Sequence, residues 1–259
     1  MKHLKKKFLK VFKVGNDVME VMSSATVNES TIAELVRTDF EGYYAILQTD
    51  GNEIIQAFQY NKGGKVYFIP EPNPIVIYFE LARNSFRHIE KNKKPIFAEL
   101  NQNKPDAYKI LTCFHEFYFT VSIYATFLFN SIEAFINNLI PKDYKYSKIL
   151  NSKTEIYDKS QIQRHLSFEE KIKEVIPDIL KNSFHKEYGH KYEHIVKLKK
   201  FRDEITHTKP FEGTKSGFYR ELFTTSLDFD YENTLLSTRD FINYYEENLI
   251  EECDCSNDW

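Results

Sequence analysis

An arginine and a histidine stand five positions apart in the stretch KKFRDEITHTKP, as Arg202 and His207. An imidazole exchanges its proton near neutral pH, so a histidine can serve as a general base or a general acid. A guanidinium can hold a phosphate group through two parallel hydrogen bonds. The two residue types therefore predict acid–base chemistry on a phosphate ester. Asp203 is placed to fix Arg202 or to contact a partner subunit.

The spacing of this pair limits where it can lie. At about 100° per residue, positions 202 and 207 are about 140° apart around an ideal helix and cannot share a face. Pro210, with threonines at 206 and 208, predicts that the helix ends before His207. Otherwise the two residues act on a ligand lying across the helix tip. Both alternatives favour an exposed pair at a helix end.

The helix that carries the pair is basic on its outer side, with Lys197, Lys199 and Lys200 just before Arg202. A charge run of this kind is more often a solvated helix face. If it binds nucleic acid, its lysines contact the phosphate backbone and binding depends on salt. The net charge of −3 means that any such attraction comes from a local patch.

Other sequence features exclude several classes of site. His190 and His194 have the i, i+4 spacing of a zinc pair, but no acidic or cysteine residue is clearly placed to complete a site with them or with His185, since Glu187 and Glu193 are common helix residues. We therefore interpret them as surface histidines and predict no metal and no cofactor. The sequence has no P-loop, no G-x-S-x-G elbow and no H-E-x-x-H motif, which excludes the enzymes that depend on them.

The composition is that of a soluble globular protein, because 42% of the 259 residues are hydrophobic and 28% are charged. Three cysteines, with Cys253 and Cys255 close together, give no disulfide framework and predict a reduced, cytoplasmic setting. The apolar stretch 117–141 is interrupted by Glu133. Its charge-free part is shorter than the ~20 residues of a membrane span, so it predicts a buried core helix and no span.

The first part of the chain differs from the rest. Asp50-Gly51 and the run 61–64 predict hairpin turns in a meander of three antiparallel strands. Apolar residues at helical spacing predict a basic amphipathic helix at the lysine-rich N-terminus and a second helix that begins at Pro74. We therefore predict an α+β region over 1–100 that positions a partner or substrate, with strands near 42–48, 53–60 and 65–69 and a connection over 92–106.

The pattern from residue 107 onward is helical and predicts an antiparallel bundle of about four helices over 107–252. Ser167 and Glu170 form a capping box that opens the second helix, which Pro177 kinks or splits. The polar stretch 144–166 predicts no definite element. The other helices are expected near 107–140, 188–206 and 230–252, with a loop over 208–230 that carries some local structure.

Three segments of this region resemble HEPN domains. Residues 202–207 fit the R-x4-H signature of that family, including the polar residue after the arginine. FNSIEAFINNLIP (129–141), with Glu133 and Asn137, resembles its first long helix. LSFEEKIKEVIP (166–177) resembles the helix that follows. The resemblance covers roughly 107–252 and leaves the first ~100 residues unassigned.

The resemblance implies a mainly α fold whose four-helix bundle pairs as a homodimer, with the R-x4-H residues of both subunits in one cleft. Many such proteins are metal-independent endoribonucleases of toxin–antitoxin or anti-phage systems. It thus implies RNA as substrate, catalysis by Arg202 and His207, and an antitoxin or another protein as a further partner. Glu133 and Asn137 would support the cleft, unless they form an interhelical hydrogen bond.

Two alternatives remain open. Some HEPN domains lack catalysis, so the bundle could dimerise and bind RNA, a nucleotide or a protein. Weak overall basicity favours that interpretation, whereas the intact Arg202–His207 motif favours the ribonuclease. In the second alternative the N-terminal region is the active part, and the bundle serves only to dimerise it.

Overall fold

The computed structural model describes residues 11–13, 44–48, 53–149, 153–210, 217 and 219–253. Over these residues the protein is mainly helical, with a small antiparallel sheet near the N-terminus. The chain divides between Pro74 and Ile75 into a sheet unit and a helical unit. The predicted turn at Asp50-Gly51 and the side chain of Cys255 lie outside the described residues.

The sheet unit contains the three predicted strands, as β2 (Tyr44–Gln48), β3 (Glu53–Lys62) and β4 (Lys65–Pro70). β3 pairs antiparallel with β2 along one edge and with β4 along the other. The meander predicted from the turn signals is therefore confirmed.

A further strand, β1 (Val11–Lys13), pairs antiparallel with the start of β3. The predicted N-terminal helix is therefore wrong at these residues, and the rest of it lies outside the described part of the chain. Val11 and Phe12 fit a helical stripe, but β-branched and aromatic residues also favour strands, and the start of β3 offers an edge for pairing.

The turn between β3 and β4 follows its sequence closely. Gly63 and Gly64 have φ angles of 59° and 73°. A two-residue hairpin of this handedness needs positive φ at both central positions, which glycine adopts without steric cost. The turn sets Lys62 directly opposite Lys65 and fixes the register of the whole hairpin.

Helix α1 (Pro74–Leu100) begins at the predicted proline but continues well past its predicted end. The predicted connection over 92–106 is wrong for most of its length, although Pro95 lies inside the helix. The buried stripe continues from Ile89 to Ile96, one heptad on, so packing of this face outweighs the cost of the proline.

Helix α2 (Ala107–Leu139) is the predicted central helix, and Asp106 caps it by accepting hydrogen bonds from the backbone N–H groups of Tyr108 and Lys109. Fully buried residues such as Phe117, Tyr124 and Phe135 recur along it. Among the described residues, α2 is also the one helix long and apolar enough to cross a membrane by length and composition, a test that buried core helices also pass.

The stretch 144–166, for which the sequence predicted no definite element, forms a hairpin of β5 (Lys145–Ile149) and β6 (Thr154–Asp158). Helix α3 (Lys159–His165) follows it. Asp158 and Gln161 form a complete capping box at the start of α3. The sequence is ambiguous here because each strand has only two apolar residues, Tyr146 and Ile149 in β5 and Ile156 and Tyr157 in β6, and neither pair has the period of two of a strand.

Ser167 caps the next helix as predicted, by accepting a hydrogen bond from the N–H of Glu170. The reciprocal half of the box is replaced, since the carboxylate of Glu170 pairs with Lys148 at 2.7 Å. The predicted kink before Pro177 takes the form of a π-helical stretch, Lys171–Val175, between α4 (Phe168–Glu170) and α5 (Ile176–Leu180).

The remaining helices complete the helical unit. They are α6 (Phe184–Glu187), α7 (Gly189–Thr206), α8 (Arg220–Asp228) and α9 (Tyr231–Tyr245). Helix α8 lies inside the stretch 208–230, which was predicted as a loop with some local structure of undefined type. Its buried positions, Leu222 and Ser226, are too few to give a clear apolar stripe. Helix α7 packs against α2, α8 and α9.

Candidate functional site around Arg202

Helix α7 positions the arginine through its own buried stripe. Tyr192, Ile195, Leu198 and Phe201 are buried along one face, which fixes the rotation of the helix against its neighbours. Arg202 follows the last of these residues and therefore lies at the edge of the buried face, in the last turn before the helix ends.

The prediction of an exposed pair is wrong for Arg202, whose side chain is largely buried, at 17% exposure. Its guanidinium lies over the ring of Phe129 on α2, with the central carbon 4.0 Å from the ring centroid. Such a cation–π contact is worth about 0.5–2 kcal/mol, more when water is excluded. Because the Phe129 ring is fully buried, the contact limits the movement of the guanidinium.

Two carboxylates pair with the same guanidinium. Nη2 lies 3.3 Å from Oε2 of Glu133, and Nη1 lies 3.0 Å from Oδ1 of Asp203. The third nitrogen, Nε, is buried and has no hydrogen-bond partner among the described residues. The structure thus brings Glu133 and Asp203, both named from the sequence, into contact with Arg202.

Asn137 lies one turn beyond Glu133 on α2, at the i+4 position that shares its face. Its side-chain Oδ1 is buried and has no hydrogen-bond partner in the described part of the chain. Its backbone carbonyl accepts a hydrogen bond from Gln163 Nε2 at 3.5 Å. A buried amide oxygen without a donor costs free energy, so it is a polar group that a ligand could satisfy.

His207 is the first residue after α7. Its backbone N–H donates to the carbonyl of Asp203 at 2.8 Å, and its side chain is exposed. Within the described residues no hydrogen bond to its imidazole is found. Thr208 turns back, its hydroxyl donating to the carbonyls of Glu204 and Ile205. Helix α7 ends at Thr206, before His207, as predicted from Pro210. Arg202 lies on its side and the exposed His207 lies at its tip.

The three lysines expected to contact RNA differ in their environment. Lys199 pairs with Asp203 at 2.7 Å, and Lys200 lies 3.7 Å from a carboxylate oxygen of Glu204. Lys197 is exposed and forms no ion pair with any described residue. Because Asp203 contacts both Arg202 and Lys199, the cluster around the arginine is nearly neutral.

Two members of the site were not named from the sequence. Phe129 precedes Glu133 by one turn and looked like an ordinary core aromatic, although its i, i+4 relation to the lone carboxylate was visible. Lys171 lies in the π-helical stretch, where burial lowers its pKa and the Glu133 carboxylate opposes that shift. Its Nζ donates to the carbonyl of Gln163 at 2.8 Å. π-Bulges are frequent at functional sites, but no sequence signal marks this one.

A second arginine shares much of this arrangement. Arg239 on α9 pairs with the adjacent Asp240 at 3.1 Å and with Glu252 at 2.9 Å, and Asp240 also pairs with Lys191 at 2.8 Å. Arg202, Asp203, Glu133 and Lys199 form the same pattern of charges. The ion pairs therefore do not distinguish Arg202 from Arg239. The contact with Phe129 and the presence of His207 at the end of the helix do.

The histidines near the start of α7 lie apart from this cluster. The interpretation as surface histidines is wrong for His194, which is buried. Its Nδ1 has no partner among the described residues, and burial lowers its pKa. His190 is exposed, with its ring 5.1 Å from that of His194. In the described ranges, no group of three or more histidine, cysteine or acidic side chains is arranged to hold a metal ion.

In comparisons with known proteins, no family model, no curated protein and no solved structure matches this chain. The chemistry of the site therefore rests on its own residues.

Proposed function

We propose that the helical unit is a HEPN-like four-helix bundle and that the protein is a metal-independent endoribonuclease with Arg202 and His207 as catalytic residues. The observation that carries the proposal is the end of α7. There a guanidinium stacked 4.0 Å above Phe129 is followed, at the helix cap, by an exposed histidine. A preoriented cation and an accessible base are what phosphodiester cleavage needs from a protein.

RNA supplies its own nucleophile. The ribose 2′-oxygen attacks the adjacent phosphorus while the bond to the 5′-oxygen breaks, which leaves a 2′,3′-cyclic phosphate and a free 5′-hydroxyl. His207 takes the proton of the 2′-hydroxyl, and Arg202 stabilises the negative charge that builds up on the phosphorane oxygens. Acid–base help of this kind contributes about 10²–10⁴-fold.

The leaving 5′-oxygen needs a proton at the same time. One imidazole cannot accept a proton and donate another in a single step. A homodimer that brings two copies of the α7 tip into one cleft supplies a second His207, protonated and able to act as the acid. Dimerisation thus has a chemical reason in addition to the HEPN resemblance.

Phosphate binding at Arg202 requires a rearrangement of its ion pairs. Glu133 is 46% exposed and its carboxylate lies 3.3 Å from Nη2, a pair of the kind worth about 0.2–1 kcal/mol in solvent. A phosphate can displace it at little cost, while the stacking on Phe129 keeps the guanidinium in place. Lys197, five positions earlier on α7, lies on another side of the helix and contributes only longer-range attraction, so binding weakens with salt.

A second candidate is the non-catalytic HEPN-like module that dimerises or binds RNA, a nucleotide or a protein. The pairing of both Nη groups with carboxylates favours it, because the same pattern recurs at Arg239, where no histidine follows in the chain. A toxin or anti-phage role, with an antitoxin as partner, rests on the HEPN resemblance alone, and a cytoplasmic setting rests on the cysteine content; both belong to either candidate.

The decisive test is cleavage of end-labelled RNA in excess chelator. We expect products with 2′,3′-cyclic phosphate ends, lost in His207→Ala and in Arg202→Ala but retained in the matched control Arg239→Ala. Light scattering should give twice the 30.8 kDa mass of one chain. RNA binding without cleavage, unchanged in His207→Ala, would favour the second candidate and overturn the first.

A further inference from the structure

One face of the β3–β4 hairpin carries three directly opposed residue pairs that all point to solvent. The register sets Phe58 against Ile69, Tyr60 against Tyr67 and Lys62 against Lys65. Because side chains alternate between the faces of a strand, these six residues share one side of the sheet unit. We name them the hairpin face: Phe58, Tyr60, Lys62, Lys65, Tyr67 and Ile69.

The aromatic rings of the hairpin face are unusually accessible. Phe58, Tyr60 and Tyr67 are 43%, 48% and 46% exposed. Within the described part of the chain, none of the three forms a ring–ring contact. Ala57, whose side chain points to the opposite face, is fully buried. The aromatic residues therefore lie on the solvent side of the hairpin, where they contribute little to the core.

The lysines at the turn add a positive charge that no described residue neutralises through an ion pair. Lys62 and Lys65 are directly opposite each other and exposed, and neither forms an ion pair with a described residue. Like charges at opposed positions of a sheet are destabilising. An anion bound beside the turn would relieve that repulsion, so the charged end of the hairpin face is complementary to a phosphate.

We propose that the hairpin face binds single-stranded RNA, with bases stacked on its aromatic rings and the phosphate backbone held at Lys62 and Lys65. The identity of the ligand as RNA rests on the proposed function. Phe58 and Tyr60 are two apart on β3, about 6.6 Å from each other, so their rings can each take a separate unstacked base, while Tyr67 lies opposite Tyr60 on β4. Double-stranded RNA is a poor fit, because its bases are stacked on each other and shielded from side chains.

The test uses the full-length His207→Ala protein, which leaves RNA intact, and the fluorescence anisotropy of a labelled 16-nucleotide uridine-rich RNA. Replacing Tyr60 and Tyr67 together by alanine should raise Kd at least tenfold, since stacking on each ring contributes about tenfold or more. The double leucine variant keeps apolar surface without a ring and should be equally weak. The double phenylalanine variant should bind within about twofold of the parent.

The lysines are tested by salt dependence. If Lys62 and Lys65 each contact one phosphate, replacing both by glutamine should reduce the slope of log K against log salt by about 1.4, at about 0.7 per contact for a single strand. The matched surface control is Tyr108→Ala, which removes an 85% exposed tyrosine from the helical unit and should leave Kd unchanged.

Several results would overturn the proposal. They are RNA affinity that is unchanged in the alanine variants, full affinity in the leucine variants, tighter binding of a DNA strand of the same sequence, or equal binding of an RNA duplex. Cleavage is measured separately, in chains that keep His207. If the protein cleaves RNA but substitutions in the hairpin face leave its RNA affinity unchanged, this inference is refuted and the ribonuclease proposal is not. Face-dependent binding without cleavage supports this inference and refutes the ribonuclease.

Discussion

Replacing Glu133 by glutamine should loosen the hold on Arg202 and strengthen RNA binding at the same time. The substitution removes a negative charge 3.3 Å from the guanidinium and keeps the size of the side chain. Since Glu133 is 46% exposed, the lost ion pair should lower the free energy of unfolding by no more than about 1 kcal/mol. For a chain of this length that corresponds to a fall in Tm of about 2–4 °C.

The effect on RNA has the opposite sign. A phosphate approaching Arg202 must displace the Glu133 carboxylate or sit a few ångströms from it. At about 5 Å, repulsion between two unit charges is worth about 1 kcal/mol in water and more near a protein surface. Glu133→Gln should therefore tighten RNA binding about five- to tenfold at low salt, and the gain should shrink as salt rises.

The matched control is Glu252→Gln. Glu252 pairs with Arg239 at 2.9 Å in the same pattern of charges, so this variant should lose similar stability and leave RNA affinity unchanged. Anisotropy measures binding and urea titration measures stability, both in the His207→Ala protein. Equal tightening in both variants would show a general charge effect. Weaker binding in Glu133→Gln would show that Arg202 needs Glu133 to bind RNA, which refutes the competition that we infer.

Three further predictions concern the helical unit. A double-mutant cycle of Arg202→Met with Phe129→Leu should give a coupling free energy of about 0.5–2 kcal/mol in urea unfolding, the worth of the cation–π contact. Burial lowers the pKa of His194, so the unfolded chain takes up the proton first as pH falls. Stability should then decline below about pH 6.5, and less steeply in His194→Phe, in urea titrations from pH 7.5 to 5. Tyr124→Phe removes the donor to the buried carbonyl of Tyr231, 2.6 Å away, and should cost about 1–3 kcal/mol by calorimetry.

Each of these has a control in the chain. The coupling should vanish when Arg202→Met is combined with Phe241→Leu, a buried ring on α9, and a similar coupling there would show that the cycle reports only general packing. His190→Gln removes an exposed histidine and should keep the parental pH slope. If His194→Phe also keeps it, burial of that imidazole has no consequence for stability. Tyr144→Phe loses an exposed hydroxyl bond to Asp178 at 2.6 Å and should cost less than Tyr124→Phe.

The helices and turns that the sequence predicted correctly are those with strong local signals. Helix α7 is bounded by Gly189 and by the approach to Pro210, and its apolar residues recur at helical spacing. The hairpin turn needs positive φ, which Gly63 and Gly64 supply. Helix α8 and the β5–β6 hairpin were not predicted. Short amphipathic segments owe their structure to packing against neighbours, which a single sequence does not display.

In the candidate site, too, local sequence signals could be read and contacts between distant elements could not. Glu133 could be named from the sequence because a lone carboxylate in an apolar helix needs a partner. That its partner is Arg202, 69 positions further along the chain, depends on the rotation of both α2 and α7 about their axes. Phe129 was missed because a buried phenylalanine usually reports only the core. Its role follows from the guanidinium that lies on its ring.

Because the same charge pattern recurs at Arg239, that pattern does not distinguish Arg202, and another feature must do so. Pairing with two carboxylates occurs at both arginines, so it cannot by itself distinguish a catalytic group from a structural one. Only Arg202 also lies on an aromatic ring and is followed by an exposed histidine at a helix end. Stacking lets the guanidinium keep its orientation when Glu133 leaves, whereas an arginine held only by carboxylates would lose its orientation along with its partners. The contact with Phe129 is therefore the part of the structure on which the proposed chemistry most depends.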